Sequence, residues 1–297
     1  MKKLSVVLLF ICFVVTSGIQ ANAAKGDTLV HEVHKKYGEF LIFDNSDVND
    51  SERERVLVTY TIKDDKLTKP KIKTHQAKYQ KMAKDKKTHN KLWKQFANMI
   101  PKKNRQEITQ FQVFTDGHDE LLAYVLPLNY SVSNWALAVD YKDSIANKNM
   151  YYSTLVHEYG HILMYKQKQW NRMFSPFCSN YVSLGKCSNK NSRANQFYEE
   201  FWAGDLEKDW KTMRIDGEVD YEFYDLYKAD FVTFYAMTDP DEDFAETFEY
   251  FLFTKEPTKT KKGKYKNLAD AKLGFFFEDP QMLKLREKML KNLLKHY

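Results

Sequence analysis

The apolar positions of this chain fall into a few separable patterns. Residues 4–15, "LSVVLLFICFVV", form an unbroken apolar run behind the basic start "MKK". The run is too short to span a bilayer comfortably. It leads into "TSGIQANAA", where Ala21 and Ala23 satisfy the small-x-small rule for leader cleavage. The pattern predicts a signal peptide over 1–23, cut after Ala23, and a secreted mature protein; an uncleaved anchor is the alternative. Cys12 follows Ile11 where a lipoprotein signal requires a small residue, so it reads as part of the apolar run. Further on, "EFLIFD" (39–44), "ITQFQVF" (108–114), "LLAYVLP" (121–127) and "WALAVDY" (135–141) predict strands by β-branched and aromatic content or by alternation. In the last, Trp135, Leu137, Val139 and Tyr141 share one face. Between Pro70 and Ile100, Ile72, Tyr79, Met82, Trp93, Phe96 and Ile100 give a loose helical stripe. Beyond 145 the patterning turns helical. The fold class predicted is α+β: an N-terminal part with a small mixed sheet and helices, packed on a mainly helical C-terminal part. The division expected is a basic α/β region over 24–104 and a second unit over 105–297.

Composition agrees with a folded chain. Hydrophobic residues make up 43% of the 297 and aromatic residues 15%, which supplies a core and argues against disorder. The net charge of +6 conceals a polarity. Lys63–Arg105 carries 15 Lys/Arg against 3 Asp, and Glu199–Glu249 carries 17 Asp/Glu against 4 Lys/Arg. The basic stretch reads either as a helix with a solvated lysine face or as a surface for an anionic partner such as cell-wall polymer or membrane lipid. No nucleic-acid motif accompanies it.

Export alters the reading of the cysteines. With Cys12 in the leader, Cys178 and Cys187 remain, in "FCSNYVSLGKC". In an oxidising compartment they are expected to form a disulfide closing a local loop. A metal role would need partners at ligand spacing, and none is near in sequence.

Chemistry enters at "HEYGH", residues 157–161, inside the proline-free segment "NMYYSTLVHEYGHILMY". On a helix, positions i and i+4 are neighbours on one face. His157 and His161 can then hold one metal, with Glu158 beside the first ligand. Zinc takes three protein ligands and leaves one position open, and a nearby carboxylate can take the proton of the attacking water. The motif arises by chance on the order of once in a hundred such chains, so it needs support. Gly160 costs the helix about 1 kcal/mol, and a purely structural helix gains little from it.

A third ligand is required. Met164 and Gln167 stand where the HExxHxxGxxH pattern needs Gly and His, so that class fails. The only downstream histidine is His296, one residue from the end, which leaves a carboxylate. In "YAMTDPDEDFAETFEYFLF", Asp239 and Pro240 predict a helix start, with Glu242 and Glu246 at i and i+4. One can bind zinc while the other accepts a hydrogen bond from a ligand histidine. Glu199 and Glu200 in "QFYEEFW" are rivals, and a solvated acidic helix face is the plain alternative.

HEYGH followed by this acidic segment resembles the gluzincin metallopeptidases, and within them the lethal-factor-like and zinc-binding metallopeptidase group. That group carries a tyrosine seven residues before an ExxAE helix; here Tyr235 precedes Glu242 by seven and "EDFAE" supplies Glu242 and Glu246. The resemblance covers about residues 105–255. It implies one zinc per chain, held by His157, His161 and Glu242, in a zincin-type cleft between the two parts of the fold. It implies Glu158 as general base, Tyr235 as hydroxyl donor to the tetrahedral intermediate, and Glu246 as hydrogen-bond partner of a ligand histidine. Tyr235 could instead be a core residue, since "DFVTFYAM" is largely apolar. The segment 162–230, with its expected disulfide, is an elaboration the resemblance does not place.

The function expected is a secreted zinc metallopeptidase acting on peptide or protein substrates. "WALAVDY" is the candidate strand for pairing an extended peptide at the cleft rim. Two other classes remain open: a zinc-binding surface protein without proteolysis, and a metallohydrolase acting on a non-peptide amide, for example in wall material.

Overall fold

A computed structural model describes residues 2–41, 51–117, 121–171, 177–215, 218–219 and 221–297. In chain order the elements are α1 (Lys2–Tyr37), β1 (Ser51–Lys63), β2 (Lys66–Ile72), α2 (Gln80–Lys84), α3 (Lys86–Met99), β3 (Ile108–Gly117), β4 (Ala123–Pro127), β5 (Trp135–Asp140), α4 (Asp143–Ala146) and α5 (Lys148–Met164). There follow β6 (Val182–Ser183), β7 (Lys186–Cys187), α6 (Arg193–Phe201), α7 (Asp205–Thr212), β8 (Arg214–Ile215), β9 (Glu218–Val219), α8 (Tyr221–Tyr227), α9 (Pro240–Phe253), α10 (Leu268–Phe277) and α11 (Pro280–His296). This is the α+β arrangement expected, with a mixed sheet in the N-terminal half and helices in the C-terminal half.

The sheet has the order β2-β1-β3-β5-β4. Only β3 and β5 are parallel. Three of the four strands expected from patterning are present as β3, β4 and β5. The fourth is not: within 39–44, residues 39–41 are irregular and 42–44 lie outside the described residues. Phe40 is instead a packing anchor, stacked on Phe253 with ring centroids 4.8 Å apart. Strand β1 went unpredicted although "VLVTYTI" within it is rich in β-branched residues. Strands β1 and β2 lie before residue 104, and β1 pairs with β3, so one sheet crosses the boundary expected at 104/105.

Two further expectations are corrected. Strand β5 lies between β3 and β4 and is buried along its whole length, on both faces. Its backbone has no open edge; the edge strands of the sheet are β2 and β4, and β4 is the one beside β5. The basic stretch is not one helix from Pro70 onward. Lys71 and Ile72 complete β2, and Asp85 separates α2 from α3. Asp85 caps α3 by accepting from Thr88 N at 3.1 Å and Thr88 Oγ1 at 2.6 Å, satisfying donors that the first turn leaves open. Tyr79, Trp93, Phe96 and Ile100 of the expected stripe are buried, whereas Ile72 is exposed.

Helices α5 and α9 form the centre of the C-terminal half. Asn147 caps α5 by accepting from Met150 N at 3.1 Å. Asp239 caps α9, accepting from Asp241 N at 2.8 Å and Glu242 N at 3.0 Å, with Pro240 in the first turn as the sequence predicts. On the far side of α9, Asp243 is fully buried and paired with Lys272 of α10 at 2.6 Å, and Trp202 Nε1 donates to it at 2.8 Å. Phe244 and Phe248 meet Phe276 edge-on, and Phe251 stacks on it. The back of α9 is therefore fixed while its first turns face α5.

The two helices meet at Gly160. A Cβ placed there would stand 2.9 Å from Ala245 Cα and 3.3 Å from Ala245 O. The obstruction is backbone, so it cannot turn aside as a flexible side chain would. Gly160→Ala ordinarily gains a helix about 1 kcal/mol. Here we expect the reverse sign, a loss of about 1–3 kcal/mol from overpacking, read as a fall in Tm. A rise in Tm would show that the helices do not cross this closely.

Candidate active site

His157 and His161 stand one turn apart on α5, with Nε2 atoms separated by 3.1 Å. Glu242, in the first turn of α9, places Oε2 3.1 Å from His157 Nε2 and 3.3 Å from His161 Nε2. The three atoms form a nearly equilateral triangle. Tetrahedral ligands at zinc–nitrogen lengths stand about 3.3 Å apart, so the triangle has the size of one face of a zinc coordination shell. Glu242 Oε2 is buried and receives no well-directed hydrogen bond. A buried anionic oxygen at contact distance from two ring nitrogens is costly unless a shared cation resolves it. The residues present therefore fit a zinc ion.

The electrostatics lean the same way. Burial works against ionised Glu242, yet its contacts with His157 and His161 outweigh burial and hold the carboxyl well below its usual range. Burial also disfavours charge on the two imidazoles, and the surrounding Glu242, Glu246 and Glu158 outweigh it for His157, Glu242 and Glu158 for His161. The pocket thus draws positive charge into its centre.

Behind the histidines lies a carboxylate layer. Glu246 Oε1 is 2.6 Å from His157 Nδ1, off the direct axis of the ring N–H. Its other oxygen accepts from Thr233 Oγ1 at 2.6 Å, and the same Oγ1 accepts from Ala236 N at 3.0 Å. Glu249 Oε2 stands 3.8 Å from His157 Nδ1, and Ser153 Oγ donates to Glu249 Oε1. Burial, then the neighbouring Glu246, push the Glu249 carboxyl up to about 8. Glu246 thus stands beside the His157 ring on the side away from Glu242. Thr233, Ser153 and Glu249 were not anticipated, and only the i+7 spacing of Glu249 from Glu242 places it on the same helix face.

Glu158 points from α5 toward the sheet, where Val125 N of β4 donates to its Oε2 at 2.8 Å. Burial raises its pKa, against the opposing charges of His157 and His161. Tyr235 lies on a short turn (Tyr235–Met237) just before α9. It is 51% exposed, so it is not a core residue, and its ring stands 5.8 Å from that of His157. Burial of its polar end and the Glu242 and Glu158 carboxylates push its pKa up, so the phenol stays protonated and able to donate. Glu199 and Glu200 are exposed on α6 and are not gathered at His157.

His157, Glu158, His161, Tyr235 and Glu242 line a cleft of about 280 Å3 between β4, α5 and the start of α9. Cys178 and Cys187 are joined by a disulfide. The hairpin of β6 and β7 that ends at Cys187 carries Leu184 to the cleft wall. Ser183, Tyr165 and Tyr181 all donate to Asp241 of α9, Tyr181 at 2.7 Å. The elaboration after α5 is thus tied to the start of the helix that carries Glu242.

No curated protein and no solved structure matches the chain. Residues 129–274 match a protein family described as "Putative zinc-binding metallo-peptidase". The matched segment contains both HEYGH and EDFAE, so the part of the chain that carries both motifs is similar to zinc-binding metallopeptidases.

Proposed function

We propose that this protein is a secreted zinc peptidase of gluzincin type, with His157, His161 and Glu242 as ligands. The observation that carries the reading is the convergence of His157 Nε2, His161 Nε2 and Glu242 Oε2 on one point. Bound there, zinc supplies Lewis acidity to a water and to the scissile carbonyl. Glu158 accepts the water's proton; the Val125 N–H orients one of its oxygens and leaves the other for the reaction. The Tyr235 hydroxyl donates to the carbonyl oxygen as negative charge grows on it. Glu246, itself held by Thr233, fixes the ring of His157 so that Nε2 faces the centre.

The substrate strand pairs with β4. In that strand Tyr124 and Leu126 face their β5 partners, so Ala123 and Val125 turn their backbone groups outward to the cleft. An extended peptide can add there as a further strand.

Cleavage after Ala23 leaves a mature chain whose first residues remain docked. Asp27 pairs with Arg286 at 3.0 Å, Lys25 with Glu287 at 2.8 Å, and Val30 and Val33 are buried. Near the end of α1, where Tyr37 stacks on Tyr297, Lys87, Lys91, Lys94 and Lys148 border a hollow also lined by Tyr152. This is the surface proposed to meet an anionic wall polymer or membrane lipid, with binding that weakens as salt rises.

The deciding experiment is metal analysis of the mature protein beside digestion of an unstructured protein and of wall fragments. Cleavage of the protein substrate supports the peptidase. Activity on wall fragments alone moves the assignment to an amidase, and bound zinc without either activity makes it a binding protein. His157→Ala, His161→Ala and Glu242→Ala should each lose zinc, while Glu199→Ala retains it. Glu158→Gln should keep zinc yet lose turnover; retained turnover would remove Glu158 as the base. Tyr235→Phe should keep zinc content and Tm while kcat falls about a hundred- to a thousandfold. Near-normal kcat in that variant would return the donor role to another group.

A further inference from the structure

Away from the cleft, three aspartates meet at one end of the sheet. Asp116 lies near the end of β3, Asp140 ends β5, and Asp143 begins α4. One carboxylate oxygen from each lies within 4.8 Å of the others. Asp116 and Asp140 are buried. Carboxylates this close repel one another, and burial removes the water that would screen them.

Asp140 supplies the second observation. It is fully buried, and its Oδ1 accepts from Lys142 N at 2.5 Å and Asp143 N at 2.7 Å. Among the described residues its Oδ2 has no well-directed hydrogen bond, and the Asp116 N–H also acts on the carboxylate. An oxygen so placed loses its hydration on folding and recovers little of it unless a cation fills the position.

We propose that Asp116, Asp140 and Asp143 form a second metal site, one for calcium. The donors are all carboxylate oxygens with no imidazole or thiolate, which selects a hard cation over zinc. Calcium–oxygen distances of 2.3–2.6 Å place ligands on opposite sides of the ion about 5 Å apart, so three oxygens within 4.8 Å can share one ion. Magnesium requires shorter bonds and near-ideal octahedral geometry, and it gives up its waters reluctantly. The consequence for the fold is local. Asp140 N donates to Leu122 O at 2.8 Å and Ser144 Oγ to the same carbonyl at 3.2 Å. Calcium here clamps the ends of β3 and β5, the approach to β4 and the turn that feeds α5.

The test uses zinc-loaded full-length mature protein, titrated with calcium by calorimetry and melted over a range of calcium concentrations. The expected result is one calcium per chain, with Tm rising as calcium exceeds its dissociation constant and a smaller rise with magnesium. Asp140→Asn and Asp143→Asn should both abolish the calcium-dependent rise while keeping zinc. Should Asp140→Asn fail to fold, Asp143→Asn decides alone. No binding heat and an unchanged Tm in the wild type would overturn the proposal. An equal calcium response in a folded variant would do so too.

Discussion

The close crossing of α5 and α9 at Gly160 and Ala245 is the constraint on which the rest depends. The histidines are on one helix and the carboxylates on the other, so the crossing sets the distances within the pocket. A Cβ at residue 160 would meet Ala245 Cα at 2.9 Å. At this approach Glu242 and Glu246 stand 3.1 and 2.6 Å from the two nitrogens of the His157 ring. The helix-propensity cost of Gly160 is thus offset by what the approach permits, a carboxylate on each nitrogen of the His157 ring.

That approach is defended from behind. Asp243 is flanked in sequence by the ligand candidate Glu242, yet it points the other way, into a buried pair with Lys272. Burial raises the Asp243 pKa and the partnered Lys272 opposes that rise, so removing either partner leaves a buried charge and costs several kcal/mol. The two faces of α9 therefore do opposite work: Glu242 and Glu246 present carboxylates to His157 of α5, while Asp243, Phe244 and Phe248 fasten the helix to α10. The loop network of Tyr165, Tyr181 and Ser183 on Asp241 fixes the N-terminal end of α9 from a third direction.

What the sequence disclosed follows from how local each signal is. The helix bearing HEYGH, the Asp239-Pro240 start of α9 and the strands β3 to β5 depend on residues within a few positions, and each is where patterning predicts it. The acidic pair Glu242 and Glu246 was legible through its spacing. The edge assignment was not, because whether β4 or β5 ends the sheet depends on pairing between distant segments. The split of the basic stretch at Asp85 was missed because lysines mask a cap that shows only as Asp85 followed three residues later by Thr88. Thr233 and Ser153 carry no sequence signal, since they matter only after the chain brings them to Glu246 and Glu249.

The account rests on one nitrogen-and-oxygen metal centre built where the two helices cross. X-ray absorption at the zinc edge of the purified mature protein tests this most directly. It should find two imidazole nitrogens and oxygen donors at about 2.0–2.2 Å and no sulfur. Sulfur scattering at about 2.3 Å would place zinc on Cys178 and Cys187 instead, and would contradict the account.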